Sequence, residues 1–280
     1  MSIQAAMLPD GKRLHLQHGP IDMIIEANGH ADQVRKAYAA ARARFETVLC
    51  VLADELQILR TLMPEAGLEV SGPIAQRMTA VVRPFWKSKV TPMAAVAGSV
   101  ADEMLCAMCA AADLSRAYVN NGGDIALHLA DGETFSIASA NGPVAVCSTD
   151  PVRGIATSGW RGRSFSFGIA DSVTVLAATA AQADIAATLI ANEVDLPRSI
   201  KVRRAPAAAL YPDSDLGQRR VTVEVAELTA GEVKTALARG LEFAGLLQSR
   251  DLIVAATLGL NDEIRTLEAD SAMTGVRQHA

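Results

Sequence analysis

Asn120-Asn121-Gly122-Gly123-Asp124-Ile125 decides how this chain is read. Two adjacent glycines between amides and a carboxylate pack poorly, but they turn tightly and bring backbone N–H groups close to something flat or anionic. Tyr118-Val119 leads into the turn and β-prone residues 125–129 leave it. A second small-residue bend, Gly154-Ile155-Ala156-Thr157-Ser158-Gly159, comes about one hairpin later, with Arg153, Arg161 and Arg163 beside it. Glycine amides and a Thr/Ser pair can hydrogen-bond phosphate or ring heteroatoms, and arginine adds charge and bidentate geometry. The candidate binding residues are therefore Asn120, Asn121, Gly122, Gly123, Asp124, Thr157, Ser158 and Gly159. A plain turn between two strands is the alternative. No G-x-G-x-x-G follows a strand, so a Rossmann-type cofactor site is not expected.

Outward from this centre, strands and helices alternate in blocks. Residues 12–17 and 22–27 read as short strands around His18-Gly19-Pro20. From Asp32 the period becomes helical: Val34, Tyr38, Ala41, Phe45, Val48, Leu52, Leu56 and Leu59 form one apolar stripe, ended by Pro64 and Gly67. That stripe suits a homodimer interface and single-chain core equally well. Arg83-Pro84-Phe85-Trp86-Lys87-Ser88-Lys89 is basic, either a solvated loop or a lip over an anion. Residues 93–102 are small and suit a tightly packed helix, running on to about Ala112. Further strands are expected at 133–137, 144–147, 164–169 and 172–176, with Asp131-Gly132 as a hairpin turn. A helix follows at 178–194. Basic β-prone segments come at 201–204 and 219–225. A helix to about Leu247 opens on the capping box Thr229…Glu232, and a last strand covers 252–258 before a frayed tail from Ala269. The fold class is α+β (mixed α/β), an antiparallel β-rich middle against long helices. It reads as one domain, or two intimately packed halves at about 1–115 and 116–280.

Composition excludes several function classes. With 280 residues, half of them hydrophobic, and a net charge of -5, the chain lacks the basic face of a general nucleic-acid binder. No secretory signal is read in residues 1–13, and every apolar run is read as broken before ~18 residues, so a soluble cytoplasmic protein without a membrane span is expected. The Cys106-x-x-Cys109 spacing could be a redox or zinc half-site, but it falls in an alanine-rich run that reads as buried helix. Asp184 and Thr188, one helical turn apart, put two oxygens on one face: a sparse hard-cation site, or else a cap for a neighbouring loop. Asp102, Asp124 and Asp171 are the candidate acid/base groups, with Arg77 and Arg161 as stabilisers of negative charge.

Taken in order, Asn120-x-Gly122-Gly123-Asp124, Ala156-Thr157-Ser158-Gly159, Ser172-Val173-Thr174-Val175 and Ala183-Asp184-x-x-x-Thr188 resemble the ApbE superfamily of FAD:protein FMN transferases. Gly98 and Asp102 match the ends of another segment of that family. His18-Gly19-Pro20 and residues 91–98, together with 120–125, more closely resemble an uncharacterised ApbE-like family over nearly the whole chain. The resemblance implies an ApbE-like fold and a bound FAD or FMN lined by the Gly-Gly-Asp and Thr-Ser-Gly stretches. It also implies Mg²⁺ at Asp184 and Thr188 with a backbone carbonyl near Val96. Two positions depart from the pattern: the family's lysine is Ala97 here, and no His-x-x-Asp-Pro segment lies between Gly159 and Ser172. Flavin transfer is therefore doubtful on sequence grounds, and binding of a flavin or another phosphorylated or heterocyclic small molecule is the leading expectation. The alternatives are a hydrolase, isomerase or lyase that needs no flavin, and a non-catalytic cofactor-binding or assembly protein.

Overall fold

The computed structural model describes residues 3–139 and 142–269. Three strands, β1 (Gln4–Met7), β2 (Leu14–His18) and β3 (Ile21–Asn28), lead into helix α1 (Ala31–Asp54) and a single turn, α2 (Leu56–Leu59). Helices α3 (Pro73–Val82) and α4 (Val96–Ala111) follow, the second preceded by a 3₁₀ turn at Pro92–Ala95. The β-rich middle holds β4 (Arg116–Asn121), β5 (Asp124–Leu129), β6 (Thr134–Ser139), β7 (Gly142–Cys147), β8 (Gly154–Ser158) and β9 (Ser172–Ala177). The last third is α5 (Ala180–Glu193), β10 (Val202–Pro206), α6 (Ala207–Leu210), β11 (Arg220–Val225), α7 (Ala230–Gln248), β12 (Ala255–Leu260) and β13 (Glu263–Leu267).

Nine strands form one sheet in the order β1-β2-β3-β4-β5-β8-β9-β12-β13, with antiparallel neighbours throughout. The fold is mixed α+β. Strand β3 shows why the sheet has a buried face: Ile21, Met23, Ile25 and Ala27 alternate inward, as the two-residue strand period requires. Four helices cover that face in sheet order, with α1 beside β2 and β3, α4 beside β4 and β5, α5 beside β8 and β9, and α7 beside β12 and β13. The α1 stripe Ala37, Tyr38, Ala41, Phe45, Val48 and Leu52 is thus core of its own chain. Phe135 and Ile137 of the β6–β7 hairpin pack on a smaller cluster that includes Leu127, Leu129 and Ile155.

Several elements differ from the sequence expectation for tertiary reasons. Helix α1 breaks at Glu55, whose carboxylate accepts the N–H groups of Ser71 (2.6 Å) and Gly72 (3.0 Å) at the start of α3. Residues 164–169 alternate like a strand but pair with none: Ser166 Oγ and the Phe167 N–H bond Asn192 at the end of α5. Asp131-Gly132 turns the chain, yet β5 joins the large sheet and β6 pairs with β7, so no hairpin forms across it. The bend at 154–158 is itself strand β8. β1 and β13 went unread. The capping box of Thr229 and Glu232 stands as expected. The tail from Ala269 falls almost wholly at 270–280, outside the described residues.

Residues 92–111 are, by length and composition alone, long and apolar enough to cross a membrane, although Asp102 and Glu103 break the apolar run midway. In the fold this stretch packs among α1, α3 and α5. Its Glu103 binds Arg44 of α1 (2.9 Å) and Arg77 of α3 (3.0 Å), joining three helices. Burial would raise this carboxyl, but hydrogen bonds and charge from the two arginines outweigh burial and hold it below the usual range. The folded state therefore binds its proton less readily than the unfolded chain, and the stabilisation is present above about pH 4.5 and lost as pH falls. Glu103→Ala is expected to cost about 2 kcal/mol in urea unfolding at pH 7 and to flatten the acid limb. An unchanged midpoint would contradict this.

Candidate functional site

The β4–β5 turn is a two-residue hairpin loop in which Asn121 pairs with Asp124 and both glycines take positive φ, +67° at Gly122 and +115° at Gly123. Glycine takes both conformations without strain, and at Gly123, where φ is the more extreme, no other residue does so easily. Asn120 Oδ1 accepts the Gly123 N–H at 2.9 Å, closing the loop. Asn121 donates its side-chain amide to the Ala97 carbonyl at 3.0 Å, tying the hairpin to the first turn of α4. Turn and site are the same object.

A cavity of about 410 Å³ opens beside this hairpin, a size usual for small-molecule sites. Its polar lining brings together Asn121, Gly122, Asp124, Ser158, Asp184 and Thr188, with Thr157 and Gly159 beside them; this is the floor of the cavity. The apolar roof comes from the end of α1 and from α2: Leu49, Leu52, Leu56 and Leu59. Pro20, Ile21, Met93, Val96 and Val100 also line it. Thr157 contributes its amide to Asp124, while its hydroxyl lies 2.9 Å from that of Thr174 on the neighbouring strand. Asn120 and Gly123 are not in the cavity wall.

Two helix starts meet under this floor, and each is capped by the other helix. Asp184 of α5 accepts the Gly98 N–H at 2.9 Å and also bonds the amide of Ala97, in the first turn of α4. Asp102 of α4 accepts the N–H groups of Ala180 (3.1 Å) and Ala181 (3.0 Å), in the first turn of α5. These amides have no partner within their own helices, so the exchange satisfies groups that burial would otherwise leave orphaned. It requires the helix backbones to touch. A Cβ on Gly98 would stand 2.3 Å from the Ala180 carbonyl oxygen.

The electrostatics of the floor are unusual. Burial pushes the Asp124 carboxyl up to about 7, and the Thr157 amide offsets this only in part. Asp184 is raised well above the carboxylate range, first by burial and then by the nearby Asp124. Two carboxylates facing one cavity oppose each other's ionisation. No cluster of three His, Cys, Asp or Glu groups in ligand arrangement occurs among the described residues. The donor set for a cation is these carboxylates and the Thr188 hydroxyl. It consists of oxygens only, which fits a hard divalent ion.

The remaining expected site residues lie elsewhere. Asp102 is directed at the α5 amides. In Asp102→Ala both caps disappear, and a loss of about 3 kcal/mol is expected in thermal or urea unfolding. A stable Asp102→Ala protein would contradict that role. Arg77 is held by Glu103 and the Ser99 carbonyl. Arg161 pairs with Asp171 at 2.7 Å, and the other Asp171 oxygen accepts the Asn261 N–H. Cys106 is exposed, whereas the expectation was a buried helix; Cys109 is half-buried, and burial pushes its thiol up to about 11. Both are free thiols. Sequence reasoning missed the leucine roof, whose stripe carries no mark separating cavity wall from core, and missed Arg60, which lines the cavity mouth.

A family model described as "AbpE bacteria" matches residues 5–266. A UPF0280 protein of Methanothrix thermoacetophila is 32% identical over 202 residues, covering 70% of this chain and 81% of the relative. One from Methanosarcina acetivorans is 30% identical over 194 residues, covering 67% and 74%. A third, from Methanothermobacter thermautotrophicus, is 38% identical over 135 residues, covering 46% and 52%. Among solved structures, a mutant of the flavin transferase ApbE from Vibrio cholerae aligns over 97% of this chain and 98% of its own, at 11% identity and a TM-score of 0.49. The apo flavinyl transferase ApbE of Pseudomonas stutzeri aligns over 98% of each chain at 13% identity and a TM-score of 0.42.

Proposed function

Because the chain belongs to the ApbE-like family described as "AbpE bacteria", with UPF0280 proteins among its relatives, we propose that its cavity binds a flavin or another phosphorylated heterocycle together with a divalent cation. One observation carries the reading: Asp124, Ser158, Asp184 and Thr188 converge from β5, β8 and α5 on one cavity roofed by leucines. An apolar roof over a polar floor suits a flat ring with a polar edge. Asp184 and Thr188 would hold the cation, and Asp124 faces the same space. A bound divalent ion would supply positive charge against the carboxylates and the ligand's phosphate. The chain's own residues do the rest. The α1–α2 roof excludes water, the Gly122 turn leaves room for the ligand's edge, and Asn121 fixes the hairpin against α4.

The transfer step of ApbE enzymes is not part of this proposal. Residues 160–171 contain no histidine, and their one carboxylate, Asp171, is engaged by Arg161 and Asn261. A second reading, an acid–base enzyme working on a small cyclic substrate without flavin, is favoured by Asp124, a cavity carboxyl that can hold a proton near neutral pH. In either case the partners are small molecules, the location cytoplasmic, and any homodimer would use a surface other than the buried α1 stripe. A thermal-shift panel of FAD, FMN, nucleotides and small heterocycles, each with Mg²⁺ or EDTA, tests the reading. A rise of several degrees with a flavin, larger with Mg²⁺, is expected. No response to any phosphorylated heterocycle would contradict it.

A further inference from the structure

The arginines nearest the site in sequence are already engaged. Arg153 donates to the carbonyls of Ser148, Asp150 and Val152, Arg161 to Asp171, and Arg77 to Glu103. Arg60 and Arg163 are different. Both line the cavity, and neither has an ion-pair partner among the described residues. They come from separate walls. Arg60 caps the end of α2, in the roof. Arg163 leaves a tight turn, closed by the Gly162 N–H on the Gly159 carbonyl at 3.1 Å, that continues from the end of β8. Its Nη1 lies 3.4 Å from where a Cβ on Gly122 would stand, which puts this guanidinium at contact distance from the hairpin turn. The cavity is therefore lined by carboxylates and by two exposed cations that have no ion-pair partner among the described residues.

We propose that Arg60 and Arg163 form a clamp for a phosphate group of the ligand that acts without the divalent cation. The inference rests on the cavity reading above and deepens it: the ligand is a phosphomonoester or pyrophosphate whose ring enters the leucine-roofed space while a phosphate stays at the mouth. Guanidinium groups suit this role because their planar donors match phosphate oxygens and cannot deprotonate.

The test uses the full chain in EDTA, so that no cation contributes. Titrations with FMN, riboflavin and inorganic pyrophosphate would be compared in the wild type, Arg60→Gln, Arg163→Gln and the remote control Arg250→Gln. FMN is expected to bind about tenfold or more tightly than riboflavin, as one or two charge-assisted hydrogen bonds would give. That preference should vanish in either clamp variant and persist in Arg250→Gln. Pyrophosphate should compete with FMN only while both arginines are present. Equal binding of FMN and riboflavin in the wild type would overturn the clamp and leave the flavin reading standing. Arginine-dependent binding of pyrophosphate with no binding of either flavin would support the clamp and overturn the flavin reading. A preference unchanged in both variants would overturn the assignment of these residues.

Discussion

Asp184→Asn is expected to give a more heat-stable protein that no longer answers to a divalent cation. Asparagine keeps an oxygen for the Gly98 amide, now 2.9 Å from the carboxylate, and removes the charge that opposes Asp124, which outweighs the weakened bond from the Ala97 amide. The cation response should weaken by at least about 100-fold, since even groups behind a metal ligand are worth ~10–100-fold. The pH dependence follows from the same pair. Asp124 and Asp184 are raised in the fold, so between about pH 4 and about pH 7 the native state holds protons that the unfolded chain releases. Stability of the cation-free protein should therefore fall as pH rises through that window, the reverse of the Glu103 effect. The variant should show a shallower slope. Thermal melts from pH 5 to pH 8 read both effects, and a wild type whose melting point rises across that range would contradict the account.

Gly98→Val is expected to prevent folding, and Gly98→Ala to cost about 3 kcal/mol or more. The new Cβ would meet backbone, at 2.3 Å from the Ala180 oxygen, 2.5 Å from its carbonyl carbon and 2.8 Å from the Ala181 nitrogen. Backbone in a helix start cannot swing aside as a side chain can, so the helices must part, at a cost above the usual range for overpacking. Parting them breaks both exchanged caps, because Asp184 and Asp102 reach their amides only across this contact. Gly245 in α7 is the control: nothing lies within 4 Å of a Cβ there, and Gly245→Ala should stabilise by up to ~1 kcal/mol. Urea unfolding of the alanine variants separates the two cases. Equal midpoints would show that the α4–α5 contact is not what holds the floor together.

Local pattern carried much of the fold. The alternation in β3, the period of α1, the Thr229 capping box and the Gly-Gly hairpin were legible because each depends on neighbours in sequence. What was not legible depends on distant partners. Glu55 ends α1 because amides at Ser71 and Gly72 need its oxygens, and the Phe167 and Ile169 N–H groups, which a strand would use for pairing, go to Asn192 and to the Val194 carbonyl. From sequence Asp102 reads as an acid/base candidate, because the amides it caps are 78 and 79 residues away. The polar floor could be read as separate motifs. That they share one cavity, under a roof of leucines and beside an arginine at position 60, follows only from the packing of α1 and α2 over the sheet.

The central claim is that one cavity holds both a phosphorylated heterocycle and a divalent cation. A crystal grown with FAD and Mn²⁺, measured at an anomalous wavelength, tests it most directly. The account predicts an anomalous peak within coordination distance of the Asp184 carboxylate and the Thr188 hydroxyl, with ligand density beneath Leu49, Leu52, Leu56 and Leu59. Manganese bound away from Asp184, or an empty leucine-roofed cavity at saturating ligand, would contradict it.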